Sequence, residues 1–107
     1  MELIKRHLGE IKKLCEAHYV KELYVFGSVL NDTFNKNSDV DFLVQFSNVD
    51  PLEYFDNYMD LKEKLEKLLS RKIDLVEKQT LKNPILKRSV DRNKVLLYGR
   101  KDTKITI

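Results

Sequence analysis

The chain has 107 residues, of which 42% are hydrophobic and 35% are charged, and its formal net charge is +3. This length suits one domain with one core. The charge is too balanced to indicate a nucleic-acid binder by itself, and we expect no direct nucleic-acid binding. No apolar run approaches the roughly 20 residues of a membrane span, and the first residues lack the apolar block of a signal peptide. We therefore expect a single domain over residues 1–107, soluble and cytoplasmic, with the lone Cys15 reduced.

Apolar residues recur at helical spacing at the start of the chain. They are Leu3, Ile4, Leu8, Ile11, Leu14 and Cys15. The pattern predicts one amphipathic helix from Glu2 to His18 that packs on a core. His7 and His18 have no partner at metal-ligand spacing, so both are interpreted as surface or boundary residues.

Two apolar segments that follow predict buried strands, LYVF at Leu23–Phe26 and VDFLVQF at Val40–Phe46. Gly27 ends the first strand. The polar loop between the segments, with a turn of helix from Ser28, suits an antiparallel pair.

The second half of the chain alternates helix and strand. Asp50 and Pro51 predict the start of a second helix that runs to Leu69. Its predicted apolar face comprises Leu52, Phe55, Tyr58, Met59, Leu61, Leu65, Leu68 and Leu69. The later elements are a third strand at Lys72–Val76, a short helix opened by Asn83 and Pro84 and ending near Asp91, and a fourth strand at Lys94–Gly99. Residues 100–107 suit either a frayed end or an edge strand. The order predicts an α+β fold, a mixed four-stranded sheet with helices packed against it.

A pair of carboxylates stands at the start of the second strand. Asp39 and Asp41 share one strand face, with Cα atoms roughly 6.6 Å apart. Two carboxylates this close repel each other, so each raises the pKa of the other. Mg²⁺ would relieve this repulsion, since it binds one or two carboxylates together with substrate phosphates. Asp74 joins them if the third strand lies beside the second. A solvated acidic strand edge is the alternative.

The Gly27-Ser28 pair stands where the first strand ends. A strand that turns into a helix at this point leaves free backbone N–H groups, which attract phosphate. The alternative is a tight turn with Ser28 as an N-cap.

Together these residues form the pattern G-S-x(9–13)-D-x-D, with Asp39 at a spacing of 11 residues from Ser28. The pattern resembles the signature of the DNA polymerase β-like nucleotidyltransferase superfamily. The chain length and the segment SDVDFLV resemble its minimal nucleotidyltransferase family, and the resemblance covers most of the chain.

The resemblance implies the nucleotidyltransferase fold and a Mg²⁺-dependent transfer of AMP from ATP. Gly27 and Ser28 would hold the β- and γ-phosphates, and Asp39 and Asp41 would bind magnesium. Asp74 would help to bind the catalytic ion of a two-ion site and would activate the attacking hydroxyl. Family members are often antitoxins that transfer AMP to a tyrosine of a HEPN-domain toxin. The implied partners are thus ATP and such a toxin, in a homo- or hetero-oligomer.

The sequence departs from the family at two positions. Many members have basic residues where this chain has Val29 and Asn31. Lys36 and Arg71 are then the nearby cations that could meet the triphosphate. Two other functions stay open: a binding or neutralising protein with weak or lost catalysis, and a nucleotidyltransferase acting on a small, antibiotic-like alcohol.

Overall fold

A computed structural model describes residues 1–31 and 34–99 of the chain, so the prediction for residues 100–107 lies outside the described residues. The described residues form helices and strands in alternation. The elements are α1 (Glu2–Arg6), α2 (Leu8–Ala17), β1 (Val20–Phe26), a 3₁₀ helix (Gly27–Leu30), β2 (Val40–Phe46), α3 (Tyr54–Leu69), β3 (Ile73–Glu77), a 3₁₀ helix (Lys78–Thr80), α4 (Pro84–Asn93) and β4 (Val95–Tyr98).

The strands form one mixed sheet in the order β3-β2-β1-β4. β1 is antiparallel to β2 and β4, whereas β2 and β3 are parallel. Helix α3 lies in the crossover that a parallel pair requires. The predicted α+β fold with a mixed four-stranded sheet is confirmed, and the third predicted strand does lie beside the second.

The sheet has one face that is fully covered, which we call the closed face. It carries Leu23 and Val25 of β1, and α1, α2 and α3 pack on it. This layer is the main core of the protein. Its buried residues are Ile4, Ile11, Cys15, Val20, Leu23, Val25, Val29, Val40, Phe42, Val44, Leu61, Leu65, Leu69, Ile73, Leu75 and Leu97.

The opposite face, which we call the open face, carries Tyr24 and Phe26, because successive strand residues point to opposite sides. Its buried cluster contains only Tyr24, Leu43 and Val90 among the described residues. Val90 is the one buried residue of α4. The open face is therefore covered by a single helix that is anchored at one position.

The prediction of one helix from about Glu2 to His18 is wrong in its continuity. His7 has φ −110° and ψ 12°, which interrupts the helix between α1 and α2. The His7 Nδ1 atom lies 3.0 Å from the carbonyl oxygen of Leu3, where it bonds to the helix backbone. The second of these helices ends at Ala17, one residue before the predicted end.

The prediction that His18 is a surface or boundary residue is also wrong, since His18 is buried. Its Nδ1–H donates to the Leu14 carbonyl oxygen at 2.7 Å, and its Nε2 atom lies 2.7 Å from Asp60 Oδ2. The hydrogen bond from His18, and then the one from Lys64, lowers the pKa of Asp60. His18 thus connects the end of α2 to α3.

The second predicted helix starts later than the sequence suggests. Residues 51–53 form a turn in which Asp50 Oδ1 accepts the Leu52 N–H at 2.9 Å, and α3 begins at Tyr54. The predicted apolar face is too wide, because Leu52, Phe55 and Met59 are exposed. Only the later part of the pattern faces the core.

Other boundaries differ by a few residues. β1 begins at Val20, ahead of the predicted Leu23, and β3 runs one residue beyond the prediction. The cap at Asn83 is confirmed, since its Oδ1 accepts the Ile85 N–H at 2.9 Å and the Leu86 N–H at 3.2 Å. No helix within residues 1–31 and 34–99 is both long and apolar enough to span a bilayer.

Candidate active site

Two of the three candidate aspartates are direct neighbours in the sheet. Asp41 of β2 pairs with Asp74 of β3 in the parallel register, and on its other side it pairs with Phe26 of β1. Residues paired in this way share a face, so both carboxylates belong to the open face together with Phe26. Asp39 precedes Asp41 by two residues at the entry to β2, and it is exposed.

The three acids interact electrostatically. Burial raises the pKa of Asp41, and the negative charges of Asp74 and then Asp39 raise it further. Asp41 is half-buried, whereas Asp39 and Asp74 are exposed. Ionised carboxylates at this density favour a bound cation, which would remove their mutual repulsion.

The donor set fits Mg²⁺ in one specific way. In the described part of the chain, no three His, Cys, Asp or Glu side chains form a ready-made metal cage. Mg²⁺ commonly uses one or two carboxylates and takes its other ligands from water and substrate phosphates. The paired carboxylates on the open face therefore suit an ion that arrives with a phosphorylated substrate.

Gly27 has a role that the sequence alone did not reveal. Its φ of +82° lies in the region that favours glycine, and a Cβ atom there would collide with the Asp41 carboxylate. The sequence indicated that Gly27 ends a strand and belongs to a candidate phosphate site, but not that it contacts Asp41. The structure shows that its missing side chain is what allows Asp41 to approach the turn.

Ser28 lies in the turn that follows. The turn is a 3₁₀ helix over Gly27–Leu30, not an α-helix starting at Ser28, and Phe26 occupies its N-cap position. The interpretation of Ser28 as an N-cap is therefore wrong. Val29 is buried at 2% exposure, so a basic side chain would not fit there without rearrangement, whereas Asn31 is exposed.

Arg71 holds the loop that leads to Asp39. Its Nη1 group donates to the carbonyl oxygens of Asn35 and Ser38, each at 3.0 Å, and its guanidinium carbon lies 4.6 Å from the ring centre of Phe34. The sequence suggested Arg71 as a phosphate partner by proximity. The structure instead places it as a support for the segment that precedes Asp39.

A groove of about 750 Å³ lies beside the glycine turn. Phe26, Gly27 and Leu30 form one side of it, and Leu86 and Val90 of α4 form the other. A volume of this order falls in the range of small-molecule and cofactor sites. The groove could not be predicted from the sequence, because its two sides are some 60 residues apart.

The glycine turn therefore approaches the Asp41 carboxylate and also lines the groove, an arrangement that suits a phosphorylated substrate with a bound cation. The family model of the nucleotidyltransferase domain matches residues 5–97, and the chain therefore belongs to the nucleotidyltransferase family. It is an enzyme of the transferase class, and the resemblance seen in the sequence is confirmed.

Two relatives of this chain are named as nucleotidyltransferases of one particular kind, the protein adenylyltransferases. The chain is 42% identical over 76 residues to protein adenylyltransferase MntA of Thermococcus cleftensis, which covers 71% of this chain and 74% of that protein. It is 35% identical over 96 residues to a protein of Methanocaldococcus jannaschii that is provisionally named a protein adenylyltransferase, covering 89% of this chain and 93% of the relative.

Solved structures agree on the fold. A structure provisionally identified as a minimal nucleotidyltransferase superposes with a TM-score of 0.72 at 31% identity, covering 88% of this chain and 92% of that one. A toxin–antitoxin complex with AMP-PNP contains a chain that superposes with a TM-score of 0.66 at 26% identity, covering 88% of this chain and 74% of that one.

Proposed function

We propose that this protein transfers AMP from ATP to a hydroxyl of a partner protein, and that it acts as the antitoxin of a HEPN-domain toxin. The observation that carries the proposal is the pairing of Asp41 with Asp74 on the open face, in contact with the Gly27 turn. The relatives named protein adenylyltransferases support a protein acceptor. The toxin–antitoxin complex with AMP-PNP supports ATP and a toxin partner.

The glycine turn is the proposed phosphate site. Gly27 has no side chain, so the β- and γ-phosphates can approach the backbone N–H groups of the turn. The Ser28 hydroxyl would add a further donor. Because a buried Val29 and an uncharged Asn31 replace the usual basic residues, we expect the turn to bind ATP less tightly than a turn with those cations would.

The carboxylates are the proposed catalytic residues. Asp39 and Asp41 would hold Mg²⁺, joined by Asp74 at a second ion position. Bound magnesium neutralises charge on the phosphates and aligns them for displacement. Asp74 would accept the proton of the acceptor hydroxyl as its oxygen bonds to the α-phosphorus. The bond from the α-phosphorus to the bridging oxygen breaks, and pyrophosphate leaves.

The rival function, a binding protein without useful catalysis, predicts a different response to one substitution. Asp74→Asn should leave binding of MgATP nearly intact, because Asp39, Asp41 and the phosphates still hold the nucleotide. Transfer should fall by at least the roughly 10²–10⁴-fold that a positioned base contributes. In the rival function, the substitution would leave toxin neutralisation unchanged.

The experiment uses the protein, its HEPN-domain partner, MgCl₂ and ATP labelled at the α-phosphate. Labelling of the partner and calorimetric ATP binding are measured for the wild type, for Asp74→Asn and for Asp56→Asn, a control at an exposed aspartate of α3. Strong labelling by the wild type and the control, but not by Asp74→Asn, supports the proposal. Unchanged labelling in Asp74→Asn would remove this residue from the site. A wild type that neutralises its partner without labelling it would establish the binding function.

A further inference from the structure

Helix α4 leaves most of its surface without contacts. Val90 is its one buried residue, while Ile85 is 78% exposed and Leu86 is 50% exposed. A ten-residue helix has little stability of its own in water, and most such helices bury an apolar stripe against the protein. Here part of the apolar surface points away from the protein instead.

One side of α4 combines this apolar surface with positive charge. Ile85, Arg88 and Arg92 are spaced three and four residues apart, so they share a side of the helix, opposite to Val90. We call these three residues the α4 patch. All three are exposed.

The charge of the α4 patch is not neutralised within the described residues. The nearby Asp91 forms ion pairs with Lys94 Nζ at 2.8 Å and with Lys87 Nζ at 3.3 Å, and these contacts lower the pKa of Asp91. The ion pairs of residues 1–31 and 34–99 include neither Arg88 nor Arg92. Both guanidinium groups can therefore pair with carboxylates of another molecule.

The position of α4 connects the patch to the candidate site. Val90 packs on Tyr24 and Leu43, and Leu43 is two residues along β2 from Asp41 on the same face. Leu86 also lines the groove that reaches Gly27. The α4 patch lies on the outer side of this helix, so a bound segment would reach the groove by passing over Leu86, which is half exposed and adjacent to Ile85.

We propose that the α4 patch docks an acidic segment of the acceptor protein that also carries an apolar residue, and so presents the acceptor hydroxyl to the site. This inference rests on the proposed function. Arginine pairs with carboxylates through two parallel hydrogen bonds, and Ile85 supplies an apolar contact between protein segments. A nucleic acid would leave Ile85 unused, because phosphate and sugar offer it little apolar surface.

The charges of Arg88 and Arg92 should affect binding of the acceptor protein more than the rate of AMP transfer. Charged groups at the rim of an interface mainly set the association rate and its salt dependence. Loss of the α4 patch should therefore raise the KM for the acceptor protein, while turnover at saturating acceptor and the affinity for ATP stay unchanged.

The test compares Arg88→Glu/Arg92→Glu with Lys12→Glu/Lys13→Glu, a pair on α2 that makes the same change in net charge on the far side of the sheet. Transfer is measured against acceptor concentration at two salt concentrations, and ATP and acceptor affinities are measured separately. For the α4 variant we expect the acceptor KM to rise about 10-fold or more, with a weaker salt dependence. Arg88→Gln/Arg92→Gln, which keeps the polar character of the helix, should show a smaller rise.

Several outcomes would overturn the inference. They are an unchanged acceptor KM in the α4 variant, an equal rise of the acceptor KM in both pairs of substitutions, and a fall in the ATP affinity of the α4 variant. If the α4 variant loses binding to a single-stranded RNA probe while the acceptor KM is unchanged, the patch is a nucleic-acid surface. Acceptor affinity is also measured without ATP, so that docking can be tested even if no AMP transfer is detected. If the wild type does not label its partner, loss of partner binding in the α4 variant still supports docking.

Discussion

The closed face and the open face of the sheet differ in what covers them. The core of the closed face draws on α1, α2, α3 and all four strands, whereas the buried cluster of the open face consists of Tyr24, Leu43 and Val90. Both faces are built from the same strands, in which residues alternate between them. The difference indicates a division of roles: the closed face stabilises the fold, and the open face keeps the carboxylates, the glycine turn and the groove accessible.

Removing one buried side chain from each face should show most clearly that the closed face contributes more to stability. Leu65 is fully buried on the closed face, so Leu65→Ala should cost about 2–5 kcal/mol of unfolding free energy. Val90→Ala, which removes the anchor of α4 on the open face, should cost less, because fewer atoms are lost and fewer neighbours surround them. Urea unfolding of both variants measures the two losses. An equal or larger loss in Val90→Ala would contradict the division of roles.

Gly27→Ala should damage the open face at the turn. A side chain at φ +82° costs roughly 1–2 kcal/mol, and the new Cβ atom would also displace the Asp41 carboxylate. We expect a modest loss of stability together with loss of AMP transfer. Gly9→Ala in α2 is the matched control, since nothing lies within 4 Å of the position of its Cβ atom. Full transfer activity in Gly27→Ala would show that the close approach of Asp41 has no functional role.

Arg71→Ala should have the smallest effect on stability. It removes two hydrogen bonds and a cation–π contact, and the latter is worth about 0.5–1 kcal/mol at exposed sites. The larger consequence should be a weaker affinity for MgATP, because the segment before Asp39 loses its support. Calorimetry with Arg71→Ala, and with Arg6→Ala on α1 as the control, measures this change. The same MgATP affinity in both variants would mean that Arg71 does not position the loop.

Local patterns were sufficient to predict much of this fold. The bounds of β2 and the Asn83 cap followed from neighbouring residues, because alternation and capping act over a few positions. Asp74 was expected to join Asp41 only if the third strand lay beside the second, and the observed register meets that condition.

The features that the sequence did not reveal depend on contacts between distant segments. His18 can be buried because its Nε2 atom hydrogen-bonds to the carboxylate of Asp60, which lies 42 residues later in the chain. Leu52 and Phe55 are exposed although their spacing matches an apolar stripe, and it is Tyr54, between them, that contacts Phe46 and Glu77 of the sheet. The requirement for glycine at position 27 arises from the neighbouring strand, and helical or strand periodicity carries no signal for such a contact.

The substitution Asp41→Asn tests most directly the claim that the open face serves function. The raised pKa of Asp41 means that the folded protein holds this proton more tightly than the unfolded chain, so the ionised carboxylate lowers stability as pH rises above its ordinary value of 3.8. Asn removes that penalty. At pH 7 without metal, the thermal midpoint of Asp41→Asn should equal or exceed that of the wild type, with no such gain below pH 3.8.

The deciding measurement is AMP labelling of the partner by this variant, with the metal-free thermal midpoint recorded on the same protein. We expect labelling to be abolished while the midpoint is kept or raised. A large drop in the metal-free midpoint, or labelling at the wild-type rate, would contradict it, since Asp41 would then be a structural residue and the open face would not be the active site.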